Sequence, residues 1–172
     1  MLRRKKTKVV ALLTAIATLA LLFVNYDPEA VGIYRDAGGV CWSARQLTYH
    51  FFHANLLHLA LNLWCFLSCV FLADVSAGKL AAAYFIASSV PAWQAVPTVG
   101  LSGICFALLG LVMWQSHNKM YCNVCVIACI ALPELLLHGH VNSALHAYCY
   151  SVAVIMGGLQ KLCFHKRHHD GI

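Results

Sequence analysis

The sequence has very little charge. Only 10% of its 172 residues are Asp, Glu, Lys or Arg, against roughly 25% in a typical soluble domain. Hydrophobic residues make up 61% of the chain, and its mean hydropathy is +0.72. No polar stretch is long enough to form a separate soluble domain. These absences exclude an ordinary soluble enzyme and indicate a protein that resides in a lipid bilayer.

Carboxylates are especially scarce. The six in the chain all fall in loops, tails or at helix ends: Asp27, Glu29, Asp36, Asp74, Glu134 and Asp170. Because none sits mid-membrane, paired intramembrane aspartates and a carboxylate-based proton relay are excluded. The H-E-x-x-H motif of many zinc proteases is also absent.

Six apolar stretches predict an all-α, polytopic membrane protein with a six-helix bundle in one domain, residues 1–172. The predicted spans are 9–24, 51–72, 80–96, 101–115, 121–137 and 143–164. A basic arm, 1–8, precedes them and a basic tail, 165–172, follows. The first span resembles a signal peptide, but no small-x-small cleavage site closes it, so an uncleaved helix is expected.

The basic residues predict the orientation. Ten of the 12 Lys and Arg residues fall on one side of this six-span arrangement, and Lys and Arg near helix ends stay cytoplasmic. Both termini are therefore expected in the cytoplasm. The positive charge suits anionic lipid headgroups better than nucleic acid, because no folded basic domain exists. The short N-terminal arm lacks a transit-like segment, which favours a bacterial plasma membrane.

Nine cysteines raise the question of a disulfide framework or a metal site. Only Cys41 lies clearly in a predicted outer loop, so an exported disulfide framework is not expected. Cys122, Cys125 and Cys129 with His117 loosely resemble a zinc pattern, but a second ligand pair is missing. Buried thiols that pack as small hydrophobes are the simpler interpretation, and no metal is expected.

The polar residues inside the spans cluster at one depth. His58 and Asn62 are four residues apart, so they share a face of the second predicted helix. His53 lies near the outer end of that helix, Ser102 begins the fourth and His146 lies one turn into the sixth. Intramembrane histidines are costly and indicate function. All five positions converge on the outer half of the membrane.

These residue types can catalyse acyl transfer. A serine hydroxyl needs a base, and a neutral imidazole suits that role near neutral pH. With no acid available, Ser102 and His146 would form a Ser-His dyad. The Ser102 amide at a helix start, the Asn62 side-chain amide and the His58 ring could donate hydrogen bonds to the developing oxyanion.

Residues around Ser102 have supporting roles in this hypothesis. Gly100 permits an unusual backbone angle before the helix. Gly103 and Ala107 form a small-xxx-small pair for packing against the helix that carries His146. Phe106, one turn below Ser102, could support the imidazole ring.

With these motifs, the chain resembles the rhomboid intramembrane serine proteases over nearly its whole length, in their minimal six-helix form. Three motifs carry the resemblance: "RQLTYHFFHANLLHLALN" with its H-x4-H-x3-N pattern, "GLSG" at the fourth helix, and His146 on the sixth. The resemblance implies that Ser102 is the nucleophile and His146 the general base and acid. It also implies that His58 and Asn62 line the oxyanion hole, and that His53 braces the outer part of the site.

The family resemblance also implies the substrates and their access. Rhomboids typically cleave single-span membrane proteins near the outer interface. For this chain no cofactor, metal or obligatory protein partner is expected. The loop 136–143 would cover the site, and substrate would enter between the second and fifth helices. Pro133 would weaken the fifth helix near its outer end.

The sequence departs from the family pattern around the dyad. On the sixth helix Leu145, Cys149 and Ala153 replace an alanine and two glycines that the family often carries. Phe106 stands where a tyrosine is common. Two alternatives stay open: an inactive rhomboid-like protein that binds membrane helices for trafficking or degradation, and a haem or metal protein that uses His58 and His146.

Overall fold

The computed structural model describes residues 2–35, 44–73, 75–93, 96–137 and 141–169. The described residues form α-helices joined by loops and one 3-10 turn, so the predicted all-α class is confirmed. The helices are α1 (Leu2–Leu21), α2 (Pro28–Val31), α3 (Ala44–Thr48), α4 (Leu56–Leu72), α5 (Ala77–Ser88), α6 (Ser102–Met113), α7 (Lys119–Leu137) and α8 (Ser143–His169), with the 3-10 turn at Tyr49–Phe51. Strand-like pairing in these ranges is limited to one isolated bridge, between Ile33 and Thr98.

Each of the six predicted spans contains a helix, but several ends differ from the prediction. α5 ends at Ser88 instead of continuing to 96. The Ser89 hydroxyl donates to the Ile86 carbonyl at 2.8 Å, which satisfies a group at the helix end. Pro91 then follows, and a proline cannot continue the helical hydrogen bonds. The third predicted span is therefore too long.

The second predicted span is broken near its outer end. α4 begins at Leu56, where the Asn55 side chain caps the helix by accepting the His58 N–H at 2.8 Å. The preceding helical segment, Ala44–Phe51, lies at 94° to α4. The sequence pattern, which marks a continuous apolar stretch from 51, does not predict this bend.

Two further differences lie near the N-terminus. α1 begins at Leu2, so the basic arm continues the helix instead of preceding it. The short helix α2 is absent from the prediction. The Asp27 side chain caps it by accepting the Glu29 N–H at 2.9 Å, and Pro28 occupies its first position.

Of the described helices, α7 alone is long and apolar enough to cross a membrane unaided. Its segment Lys119–Leu136 has a mean hydropathy of 1.6, and none of it is buried within the protein. The bent pair Ala44–Phe51 and Leu56–Leu72 meets the same criteria only if both are counted as one broken span. The six full-length spans that the sequence predicts are therefore not all present as single long helices.

α6 lies at the centre of the described structure. Nine of its 12 residues are buried, which is the expected position for the helix that carries Ser102. α8 packs against α6 so closely that the backbones of the two helices are in contact. A Cβ atom built on Gly110 would lie 2.7 Å from both the Ala153 Cβ and the Tyr150 carbonyl oxygen. Only glycine at position 110 lets the two helices approach this closely.

The three residues of α8 that differ from the rhomboid sequence pattern are fully buried. Leu145, Cys149 and Ala153 are 1%, 0% and 0% exposed. A Cβ on Gly103 would lie 3.2 Å from the Leu145 Cδ2, so the absence of a side chain at 103 makes room for the larger leucine. Ala107, the other member of the predicted small-residue pair, is also fully buried.

Replacing Gly110 with alanine should separate α6 from α8. The added methyl group would meet backbone atoms of α8, which cannot rotate away, so we expect a loss of about 1–3 kcal/mol in stability. Thermal unfolding in detergent micelles measures it. The matched control is Gly78→Ala, because the nearest atom to a Cβ at this exposed position is 3.9 Å away. Equal melting temperatures for the two variants would contradict the packing described for α6 and α8.

Candidate active site

The segment before α6 is held in a conformation that favours glycine. Gly100 has φ +123°, in the region that L side chains rarely adopt. Its N–H donates to the Tyr49 carbonyl at 3.0 Å. The next N–H, that of Leu101, donates to the His53 Nε2 at 3.2 Å. Residues 49–53 thus fix the chain at the point where Ser102 begins α6.

His53, predicted to brace the site, is buried between the Ser102 loop and α4. Because its Nε2 accepts a hydrogen bond, the neutral ring carries its proton on Nδ1. Its ring centroid lies 5.2 Å from that of His58, at an interplanar angle of 60°. His53 therefore contacts both the loop before Ser102 and a residue predicted for the oxyanion hole.

His58 and Asn62 lie one turn apart on α4 and face Gly100. A Cβ built on Gly100 would lie 3.0 Å from the His58 Nε2 and 3.3 Å from the Asn62 Nδ2. The Asn62 Nδ2 is buried and has no hydrogen-bond partner among the described residues. An unpaired buried donor is unfavourable, and a ligand oxygen would satisfy it. The Asn62 backbone carbonyl accepts from the Cys105 Sγ at 3.3 Å, which joins α4 to α6 below Ser102.

His146 is positioned by an aromatic ring. It stacks on Phe106 with 4.4 Å between ring centroids and 24° between ring planes. Its Nδ1 is buried, and within the described ranges it has no hydrogen-bond partner, so no described carboxylate orients this ring. The residue itself lines the wall of a cavity.

Ser102 and His146 line one cavity of about 450 Å³, together with His58 and Asn62. Its other walls are Ala54, Asn55, Leu57, Leu61, Val96, Pro97, Thr98, Val99, Phe106, Val141 and Asn142. The volume falls in the range of ligand-binding clefts and is far larger than one water molecule needs. The structure thus brings five of the residues singled out in the sequence, Phe106 included, to one open space.

The serine and the histidine are not hydrogen-bonded to each other. Ser102 is 9% exposed and His146 is 8% exposed, and no bond joins the Ser102 hydroxyl to the imidazole in the described part of the chain. Catalytic hydrogen bonds are often long in a free enzyme and tighten only with substrate bound. Ser102 and His146 therefore line the same cavity without a hydrogen bond between them.

Sequence reasoning missed Asn142 and Thr98. The Asn142 side chain donates to the Thr98 hydroxyl at 3.0 Å and accepts the Leu145 N–H at 2.9 Å. It therefore links the start of α8 to the segment that leads to Ser102. An asparagine just before an apolar helix is a recognisable capping signal. Thr98 offers no such signal, because its role depends on a contact between distant segments.

Other polar residues lie away from this cavity. The His50 Nε2 lies 3.0 Å from the Ser88 hydroxyl, and both residues are fully buried. Cys125 and Cys129 are exposed on α7, whereas Cys41 lies outside the described residues. Across the ranges that the structure describes, no group of three or more potential ligands is placed to hold a metal ion.

Comparison with known proteins adds no family assignment. No protein-family model matches the sequence, and no curated protein matches it at a significant level. The function must therefore be argued from the residues around the cavity.

Replacing His53 should destabilise the Ser102 loop. His53→Ala leaves the buried Leu101 N–H without its acceptor, so we expect a loss of about 1–3 kcal/mol in thermal unfolding experiments. His53→Gln can supply a carbonyl oxygen and should recover part of the loss. His117→Ala, at an exposed position, is the control and should melt like the wild type. A wild-type melting temperature for His53→Ala would show that this bond does not hold the loop.

Proposed function

We propose that this chain is a multi-pass intramembrane serine protease of the rhomboid type, acting through a Ser102–His146 dyad. It would hydrolyse peptide bonds in or near the transmembrane segments of membrane-protein substrates. One observation carries the proposal: a serine at a helix start, an imidazole and two candidate oxyanion donors line one cavity of about 450 Å³. The rhomboid-like motifs of the sequence agree with it.

In the first proposed step Ser102 attacks the substrate. Its Oγ forms a bond to the carbonyl carbon of the scissile peptide, while its proton passes to the Nε2 of His146. The Phe106 ring, stacked at 4.4 Å, holds the imidazole in orientation. Its face also stabilises the imidazolium that forms, which is useful where no acid partner is available.

The tetrahedral oxyanion needs donors that are already in place. The Ser102 N–H lies in the first turn of α6, where backbone N–H groups have no partner within the helix. The unpaired Asn62 Nδ2 and the His58 ring, both beside Gly100, supply two more. His146 next donates its proton to the leaving amine. A water molecule then hydrolyses the acyl ester, with His146 again as the base, and releases a carboxylate.

The surface of the described helices supports a position within lipid. Large apolar side chains are exposed on five different helices: Leu13, Trp64, Phe85, Leu136 and Ile155 are 61%, 78%, 57%, 74% and 63% exposed. In water such a surface would promote aggregation, whereas lipid solvates it. The short helices α5 and α6 are consistent with this placement, because non-helical backbone at membrane depth is tolerated where protein surrounds it or a cavity adjoins it.

The proposed orientation follows from the basic residues. Both termini would lie in the cytoplasm, and the cavity would open towards the outer side of the membrane. The simplest location is the plasma membrane of a bacterium. Substrate helices would enter between α4 and α7. Leu57 and Leu61 of α4 are exposed at the cavity wall, and α7 carries Pro133 and is not buried against the other helices.

A second candidate function is helix binding without cleavage. The observation that favours it is the missing hydrogen bond between Ser102 and His146. In that case the same cavity would hold part of a membrane helix for trafficking or degradation, and no ester would form.

Cleavage of a single-span membrane reporter tests the protease. With small residues near the outer end of the reporter's span, we expect the wild type to produce two fragments. Ser102→Ala and His146→Ala should each reduce cleavage to background while the protein is still made and inserted, because each removes a reacting group.

His117→Ala is the control and should cleave normally, because His117 is exposed and does not line the cavity. Cleavage that persists in Ser102→Ala would count against the assignment. If thiol reagents blocked that residual activity, the nucleophile would be a cysteine, with Cys105 or Cys149 the candidates on α6 and α8.

Reporter fusions test the six-span topology. Alkaline phosphatase is active only outside the cytoplasm, and green fluorescent protein is expected to fluoresce only inside. We expect phosphatase activity after Arg35, Trp93 and Val141, and fluorescence after Val75, His117 and His169. Placement of Val75 and Trp93 on the same side would contradict α5 as a span.

A further inference from the structure

A second cavity is separate from the one that Ser102 and His146 line. It is a crevice of about 300 Å³ between α1, α4 and α5. Lys6 and Val10 line it from α1, Phe66 from α4, and Leu80, Tyr84 and Phe85 from α5. None of these residues lines the candidate active site, so the crevice requires its own explanation.

The walls of the crevice are apolar because their polar groups are satisfied elsewhere. The Thr14 hydroxyl donates to the Val10 carbonyl at 3.0 Å. The Tyr84 hydroxyl donates to the Leu47 carbonyl at 2.8 Å. Neither hydroxyl needs a partner inside the crevice, so its interior suits a hydrocarbon ligand.

One end of the crevice is positively charged. Lys6 is exposed at that end, and Arg4 and Lys5 are exposed on the same turns of α1. From Lys6 to Thr14 the crevice follows eight residues of helix, roughly 12 Å at the α-helical rise. A ligand that fits would have an anionic group at one end and an apolar chain of about that length.

The size and charge of the crevice suit a lipid. A volume of about 300 Å³ along roughly 12 Å has room for a single hydrocarbon chain. The positive charge of Lys6 at one end is complementary to an anionic headgroup.

We propose that this crevice binds one acyl chain of an anionic phospholipid from the cytoplasmic leaflet, and that Lys6 contacts the phosphate of its headgroup. Juxtamembrane lysines attract anionic lipids in this way. The proposal rests on the proposed membrane orientation and is independent of the peptidase chemistry.

Photo-crosslinking with a defined lipid tests the proposal. Phosphatidylglycerol and phosphatidylcholine probes with the same diazirine-bearing acyl chain are each added to the protein in a neutral detergent. After irradiation, mass spectrometry locates the labelled peptides. We expect the phosphatidylglycerol probe to label residues 6–14 and 77–85 more strongly than the phosphatidylcholine probe does.

Four variants define the outcome. Lys6→Gln should lower phosphatidylglycerol labelling about fivefold, the effect of losing one interfacial lysine, whereas Lys161→Gln on the exposed part of α8 should not. Ala81→Phe, or Val10→Phe if the first variant aggregates, should fill the crevice and block both probes. Equal labelling by the two probes, or labelling that survives the filling variant, would overturn the proposal. Ser102→Ala should label like the wild type, so a failed protease assay and a failed lipid site remain distinguishable.

Discussion

The close approach of α6 and α8 is the contact on which the rest of the site depends. Ser102 begins one of these helices and His146 lies in the first turns of the other, so their separation is set by how near the two backbones come. Gly110 permits that approach two turns further along α6, where the Cβ of any other residue would lie 2.7 Å from the Tyr150 carbonyl oxygen of α8. Near the dyad, Gly103 makes room for Leu145. A misplacement of about 1 Å between reacting groups can reduce a rate about 100-fold, so this packing matters for function as well as for stability.

Hydrogen bonding and position beside the cavity together separate structural polar residues from the candidate functional ones. His53 and His50 each use one ring nitrogen to join segments that are far apart in sequence, one to Leu101 and the other to Ser88. In the described chain the Nδ1 atoms of His50, His53 and His146 and the Nδ2 of Asn62 are all buried without a partner. Of these four residues, His146 and Asn62 line the cavity and the other two do not. Buried polar groups are normally paired, and a ligand oxygen in the cavity would satisfy the Asn62 donor.

Local patterns in the sequence predict much of what the structure contains. The six apolar stretches each contain a helix, and the four-residue spacing of Ser102 and Phe106 anticipates the ring on which His146 stacks. The position of Gly100 before a helix anticipates its positive φ. These features depend on neighbours along the chain, which a sequence displays directly.

Features that depend on contacts between distant segments could not be predicted in this way. The bend of 94° before α4 accompanies hydrogen bonds from Tyr49 and His53 to the distant residues Gly100 and Leu101. The Asn142–Thr98 bond joins segments 44 residues apart. The early end of α5 is different, because its causes are local: the Ser89 bond to the Ile86 carbonyl and the proline at 91. An apolar count does not detect them. Hydropathy likewise does not show that, of the described helices, only α7 is a single helix long and apolar enough to cross a membrane.

Fluorophosphonate labelling of the purified protein tests the central claim, that His146 activates Ser102 within this cavity. The wild type is compared with Ser102→Ala and His146→Ala, and mass spectrometry locates the modified peptide. The proposed dyad predicts a covalent adduct on Ser102 in the wild type and none in either variant. A folded wild-type protein that forms no adduct, or one that forms it equally well without His146, would contradict the dyad. The first of these results would favour helix binding without cleavage.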